Sequence, residues 1–241
     1  MSKKVVEKTT TVTTTITTDE KTQIILILDG SGSMAKDDLI DEAIGSVNDF
    51  VHKQKKLEDE ATMTAAVFDT EYDLLYDNVP LQEVKDFSRK TWSPGGLTAL
   101  NDAIGISVTT VLKAHKKLKK KDRPDKVLFV IVTDGLENRS TEYTTDQIKS
   151  LIADCEKKDG WSFIYLAANQ DAFAVGTAMG FSGGNTITFS PDSEGMGNVS
   201  ATLDGAVSYY RNASVNDANF AVNTSNLMDD YGESVDEDNK E

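Results

Sequence analysis

Five oxygen-bearing side chains in three separate stretches are the residues of this sequence that could do chemistry together. Asp29, Ser31 and Ser33 alternate with glycine in Asp29-Gly30-Ser31-Gly32-Ser33, Thr98 ends Gly95-Gly96-Leu97-Thr98, and Asp134 lies in Thr133-Asp134-Gly135. Carboxylates and hydroxyls are hard donors that select Mg²⁺, Mn²⁺ or Ca²⁺ over softer ions, and Mg²⁺ takes about six oxygens at roughly 2.0 to 2.1 Å with several waters retained. A shell rich in neutral hydroxyls leaves such an ion electron-poor. An open position on it would then draw an anionic oxygen, an Asp or Glu carboxylate supplied by another protein. Taken singly, the same residues have plainer uses: an Asp capping its own Gly/Ser turn at a strand end, and a Thr capping a helix.

Covalent chemistry finds less support. Asp29 after an apolar run could suggest an aspartyl nucleophile, but enzymes that use one need a second acid two residues on, where this chain has Ser31. Neither a Walker lysine nor a third spaced glycine follows Gly30 and Gly32, which argues against nucleotide binding. His52, His115 and Cys155 have no partners at ligand or catalytic spacing, so neither a zinc cluster nor a nucleophile–base pair is expected, and no enzymatic activity is assigned.

The elements that must position the five donors follow from hydrophobic periodicity. Residues 23–28 and 126–132 are continuous apolar runs, the pattern of strands buried on both faces of a parallel sheet, and they end at Asp29 and at Thr133-Asp134. Further strands are expected at 62–68, 72–76, 161–167 and 185–189. Helices are expected at 37–55, at 81–87, from Thr98 into the basic run, and at 145–157, 169–179 and 199–210. Strands alternating with helices imply right-handed crossovers and an α/β fold with a doubly wound, mostly parallel, Rossmann-like sheet. In such a sheet the binding crevice lies at the carboxyl ends of the strands where their order reverses. All three donor stretches fall on that edge.

In this order and on these elements, Asp29-x-Ser31-x-Ser33, the Gly-Gly-x-Thr stretch ending at Thr98, and Thr133-Asp134-Gly135 resemble the metal-ion-dependent adhesion site (MIDAS) of the von Willebrand factor A (VWA) family, and most of all its stand-alone bacterial and phage members. The resemblance runs from about residue 23 to 168, and on to the helix ending near 210. It implies that Ser31 and Ser33 coordinate a divalent ion through their hydroxyls and that Thr98 does so when a ligand is bound. Asp29 and Asp134 would act through bound waters and hydrogen bonds. The implied function is a cation-dependent protein-binding module that captures an acidic residue of its partner. Two other roles are compatible with the fold: an adaptor subunit of an AAA-type ATPase or chelatase, and a virion component assembled through its N-terminal arm.

Outside the expected domain (21–212) lie a Thr-rich arm (1–20) with β-propensity and a polar, acidic tail (213–241). The formal charge of -15, from 25 basic and 40 acidic residues, disfavours nucleic acid as main partner. Eight Lys or Arg residues crowd 113–126, at what should be the pole away from the donors; a solvated face is the expected reading. One cysteine, no apolar leader and no apolar run of membrane length predict a cytoplasmic protein, or a virion-associated one if phage-encoded. Asp102 is expected to favour its helix dipole, Asp69 and Asp73 a solvated turn, and Trp92 to pack under its loop. For Asn169, Gln170 and Asp171, helix capping and rim contact with a partner weigh equally.

Overall fold

The computed structural model describes residues 20–134, 136–168, 172–190, 193–217 and 220–228. Six strands form one sheet: β1 (Thr22–Asp29), β2 (Ala61–Phe68), β3 (Tyr72–Pro80), β4 (Lys126–Thr133), β5 (Ser162–Ala167) and β6 (Thr186–Thr188). Their order is β3-β2-β1-β4-β5-β6, parallel throughout except for β3, which runs antiparallel at one edge. The chain thus builds outward from β1 to one side, returns, and builds outward from β4 to the other. The order reverses between β1 and β4, and the last residues of these two strands flank the crevice.

Alternation along β1 and β4 feeds two cores. Ile24, Leu26, Leu28, Leu128, Val130 and Val132 face α1 (Leu39–Gln54) and α5 (Ser193–Asn212). Ile25, Ile27, Val127, Phe129 and Ile131 face α2 (Leu100–Lys117) and α3 (Thr145–Asp159), where Met179 of α4 (Ala172–Met179) also packs. Both central strands are buried along their whole length, as their unbroken apolar runs require. Helix α3 starts at a capping box in which Thr144 and Gln147 satisfy each other's backbone amides, and it ends at Gly160 in the left-handed region with φ 68°.

Several boundaries depart from the sequence reading. The expected helix at 81–87 is a single 3-10 turn, Leu81–Glu83; beyond it the chain turns extended at Val84, and Phe87 and Trp92 enter the core. Helix α2 starts at Leu100 instead of Thr98: Ala99 is its N-cap with a non-helical φ of -90° and ψ of 59°, and the Thr98 and Ala99 amides donate to the Asn138 side chain and the Asp69 carbonyl. Helix α1 is preceded by a 3-10 segment, Gly32–Asp38, α5 begins at Ser193, and β6 is three residues long. Ordered packing also continues beyond 212. A short helix α6 (Phe220–Thr224) follows, and Leu227 and Met228 are buried against the α1/α5 side, which hydrophobic periodicity missed because so few residues carry it. The Thr-rich arm up to residue 19 and the acidic end from 229 lie outside the described residues.

The amino ends of the strands are held by buried charge. The Arg211 guanidinium at the end of α5 donates to the Asp59 carboxylate at 2.8 and 2.9 Å and to the Gln54 carbonyl at 2.7 Å, with both ion-pair side chains almost fully buried. The lysines at 113, 116, 117 and 119–121 are exposed, as the solvated reading of the basic run expects, but its last member, Lys126, is buried. Its ammonium donates to the carbonyls of Arg211 and Ala213 and pairs with Glu20. Arg211→Ala leaves Asp59 buried without its counter-charge and should cost about 3 to 5 kcal/mol, read as a lowered denaturant midpoint.

Candidate metal centre

The Asp29 carboxylate stands at the carboxyl end of β1 with no solvent exposure. One oxygen accepts the Ser31 amide at 2.7 Å and the other the Thr133 hydroxyl at 2.5 Å, so the end of β1 is tied to the end of β4 across the reversal point. The Ser31 and Ser33 hydroxyls lie 3.0 Å apart, and Ser33 donates to Asp134 at 2.8 Å. Four of the five expected donors therefore form one hydrogen-bonded cluster: Asp29, Ser31, Ser33 and Asp134. Gly135 lies outside the described residues, as do Asn169, Gln170 and Asp171.

Thr98, the fifth expected donor, is brought beside the cluster by its loop and not by a hydrogen bond to it. The Gly95 amide donates to the Gly30 carbonyl at 2.7 Å and the Gly32 amide to the Gly96 carbonyl at 3.3 Å, which lays the strip 95–98 along the Asp29 loop. Gly96 adopts φ 59°, and a Cβ there would lie 2.7 Å from an Asp69 oxygen; a Cβ on Gly30 would lie 2.9 Å from Val67. Glycine is thus required at 96 by the turn after β2 and by the left-handed φ, and at 30 by the close approach of β2. Thr98 itself is buried, its amide donating to the Asn138 side chain at 3.0 Å and its carbonyl accepting the Asn138 amide at 3.1 Å.

Residues to which sequence reasoning gave no part prove to brace the cluster. Trp92 is fully buried and donates from Nε1 to the Asp29 carbonyl at 2.8 Å, so the packing expected of it also supports the site. Glu137 accepts from the amides of Asn101, Arg139 and Ser140, and Asp102 from those of Thr141, Glu142 and Tyr143, fixing the loop after β4 against the start of α2. Asp102 is a loop clamp. The signal for Glu137 and Asn138 lay in their place just after Thr133-Asp134-Gly135, but their partners are about 40 residues away in sequence. Both histidines lie elsewhere, His52 against Asp86 and His115 against Gln23.

The electrostatics suit a cation. Burial pushes the Asp29 carboxyl from its ordinary 3.8 up to about 6, against the pull of the Thr133 and Ser31 hydrogen bonds, and the charge of Asp134 adds to the rise. Asp134 is also raised, by burial, against the pull of the Ser33 hydroxyl and Lys36. Among the described residues no group of three or more His, Cys, Asp or Glu side chains could hold a metal. An ion here would depend on hydroxyls beside two carboxylates, a hard-oxygen set that fits Mg²⁺ or Mn²⁺.

No family model and no curated protein matches this sequence. The solved structures do contain the fold. Proximal thread matrix protein 1 of the mussel byssus superposes with a TM-score of 0.56 at 12% identity, over 78% of this chain and 48% of that one, so this chain spans about half that protein's length. The same protein with a zinc-occupied MIDAS motif gives 0.55 at 14% identity, over 78% and 48%. The vWF domain of the type V pili tip protein Mfa5 from Porphyromonas gingivalis gives 0.56 at 12% identity, over 78% of this chain and 96% of that one. The fold is that of a von Willebrand factor A domain. In this VWA fold the hydrogen-bonded cluster occupies the crevice at the β1/β4 reversal.

The raised Asp29 carboxyl sets a pH dependence. Between its unfolded and folded values the native state holds the extra proton, so metal-free stability falls as pH rises from about 4 to about 6 and then levels, by on the order of 3 kcal/mol. Urea midpoints in chelator at pH 4 to 7 should show this fall in the wild type, and Asp29→Asn should make it shallower.

Proposed function

We propose that this VWA domain binds a divalent cation, Mg²⁺ or Mn²⁺ before Ca²⁺, and uses it to hold an Asp or Glu carboxylate of a partner protein. The observation that carries this reading is the single hydrogen-bonded cluster of Asp29, Ser31, Ser33 and Asp134 at the β1/β4 reversal. Asp29 and Asp134 are two partly or fully desolvated carboxylates that resist ionisation together. A bound cation would remove that conflict, and the Ser31 and Ser33 hydroxyls would turn their lone pairs to it while donating to the carboxylates. Thr98, held on the adjoining strip, would be the donor that joins when the partner carboxylate arrives. The ion supplies the local positive field, so a chain of net charge -15 can still attract an acidic group.

Binding fits this arrangement better than catalysis, since the serine hydroxyls are engaged with each other and with Asp134 and neither histidine accompanies them. Calorimetric titration with Mg²⁺, Mn²⁺ and Zn²⁺ tests the metal step. One site per chain is expected, with Ser31→Ala/Ser33→Ala weakening the ion at least tenfold while the melting temperature in chelator stays close to that of the wild type. Equal binding by wild type and double variant would refute the assignment.

A further inference from the structure

Beside the cluster lies a second feature that ion chemistry does not use. Leu97 is 50% exposed and Leu136 is 49% exposed, more than any other large apolar residue among those described; Leu74, on edge strand β3, follows at 43%. Single exposed leucines are ordinary, but these two sit directly beside donors. Leu97 precedes Thr98, and Leu136 stands two residues after Asp134. Their loops are joined by the paired hydrogen bonds between Thr98 and Asn138, and the Leu97 amide is held by the Thr70 hydroxyl at 2.9 Å. Leu97 is therefore carried on braced backbone, Leu136 stands two residues before the Asn138 clasp, and about half of each leucine is open to solvent.

Three carboxylates on the same rim are held by neighbouring backbone. Asp69 accepts the Glu71 amide, Asp102 accepts three amides of the loop after β4, and Glu137 accepts three amides and the Ser140 hydroxyl. Lys36 lies close enough to pull down on the Asp134 carboxyl. What the rim would offer an incoming chain is thus a bound cation and two leucines, with Asp69, Asp102 and Glu137 already engaged.

We infer that Leu97 and Leu136 form an apolar collar that selects a partner segment in which the metal-seeking Asp or Glu has apolar neighbours. The inference rests on the metal-dependent reading above and adds the sequence context of the captured acid. Covering apolar surface next to a charged anchor lengthens the lifetime of the contact, where the acid alone would leave the leucines wet.

Two capped peptides serve as probes, Gly-Leu-Asp-Leu-Gly and Gly-Ser-Asp-Ser-Gly, titrated into Mn²⁺-loaded protein. The wild type should bind the leucine peptide about tenfold more tightly. Leu97→Ser/Leu136→Ser should lose that preference with unchanged Mn²⁺ affinity, and Leu74→Ser, away from the collar, should keep it. Equal affinity of the wild type for the two peptides, or binding of neither at millimolar concentration, overturns the collar while leaving the metal reading in place. Failure of the wild type to bind Mn²⁺, or a leucine-peptide affinity indifferent to chelator, overturns the metal reading and the collar with it.

Discussion

The burial of the Asp29 carboxylate at the end of the central strand is the constraint on which the upper edge of this molecule depends. A carboxylate without solvent exposure must be hydrogen-bonded, and its partners here come from two directions: the Ser31 amide on its own loop and the Thr133 hydroxyl at the end of β4. Its carbonyl is taken by Trp92, from a third stretch of chain. Satisfying one residue therefore brings together the loop after β1, the loop before α2 and the end of β4. Those are the three stretches that carry the five oxygen donors.

These hydrogen bonds leave the cluster organised yet electrostatically unsatisfied. Asp29 and Asp134 are both pushed up by desolvation, and the charge of Asp134 adds to the burden on Asp29. Structural carboxylates elsewhere in the domain are treated differently: Asp59 meets the Arg211 guanidinium, and Asp102 meets three backbone amides. Asp59 and Glu20 meet the cations Arg211 and Lys126 at the amino ends of the strands, whereas at the carboxyl ends the buried Asp29 is met by an amide and hydroxyls, beside a partly buried Asp134 that feels Lys36; that arrangement has the electrostatic shape of a cation site. The two poles also divide the work. Arg211, Lys126 and Glu20 lock the base, and the crevice presents the donors and the two exposed leucines.

Much of this was legible in the sequence because the relevant signals are local. The apolar runs ending in Asp29 and in Thr133-Asp134 marked β1 and β4, and right-handed crossovers then required their ends to share an edge. Once Thr98 fell on the same edge, the five donors could be grouped before any contact was known. Long-range bracing was not legible. Nothing local to Asn138 announces that it clasps Thr98 through both its amide and its side chain, and Trp92 could be read as packing but not as the donor to Asp29. The start of α2 was misplaced because Thr98 and Ala99 are held by distant groups, their amides donating to the Asn138 side chain and to the Asp69 carbonyl. Lys126 looked like part of a solvated run because its partners, Glu20 and the carbonyls after α5, come from the far ends of the domain.

The central claim is that a cation sits among Ser31, Ser33 and the two aspartates, and locating that ion tests it most directly. Crystals grown or soaked with Mn²⁺ and measured at a wavelength where manganese scatters anomalously should give one strong peak within coordination distance of both serine hydroxyls, with Asp29 and Asp134 reached directly or through water. A crevice without a peak at saturating Mn²⁺, or a peak only at another part of the domain, would contradict the account.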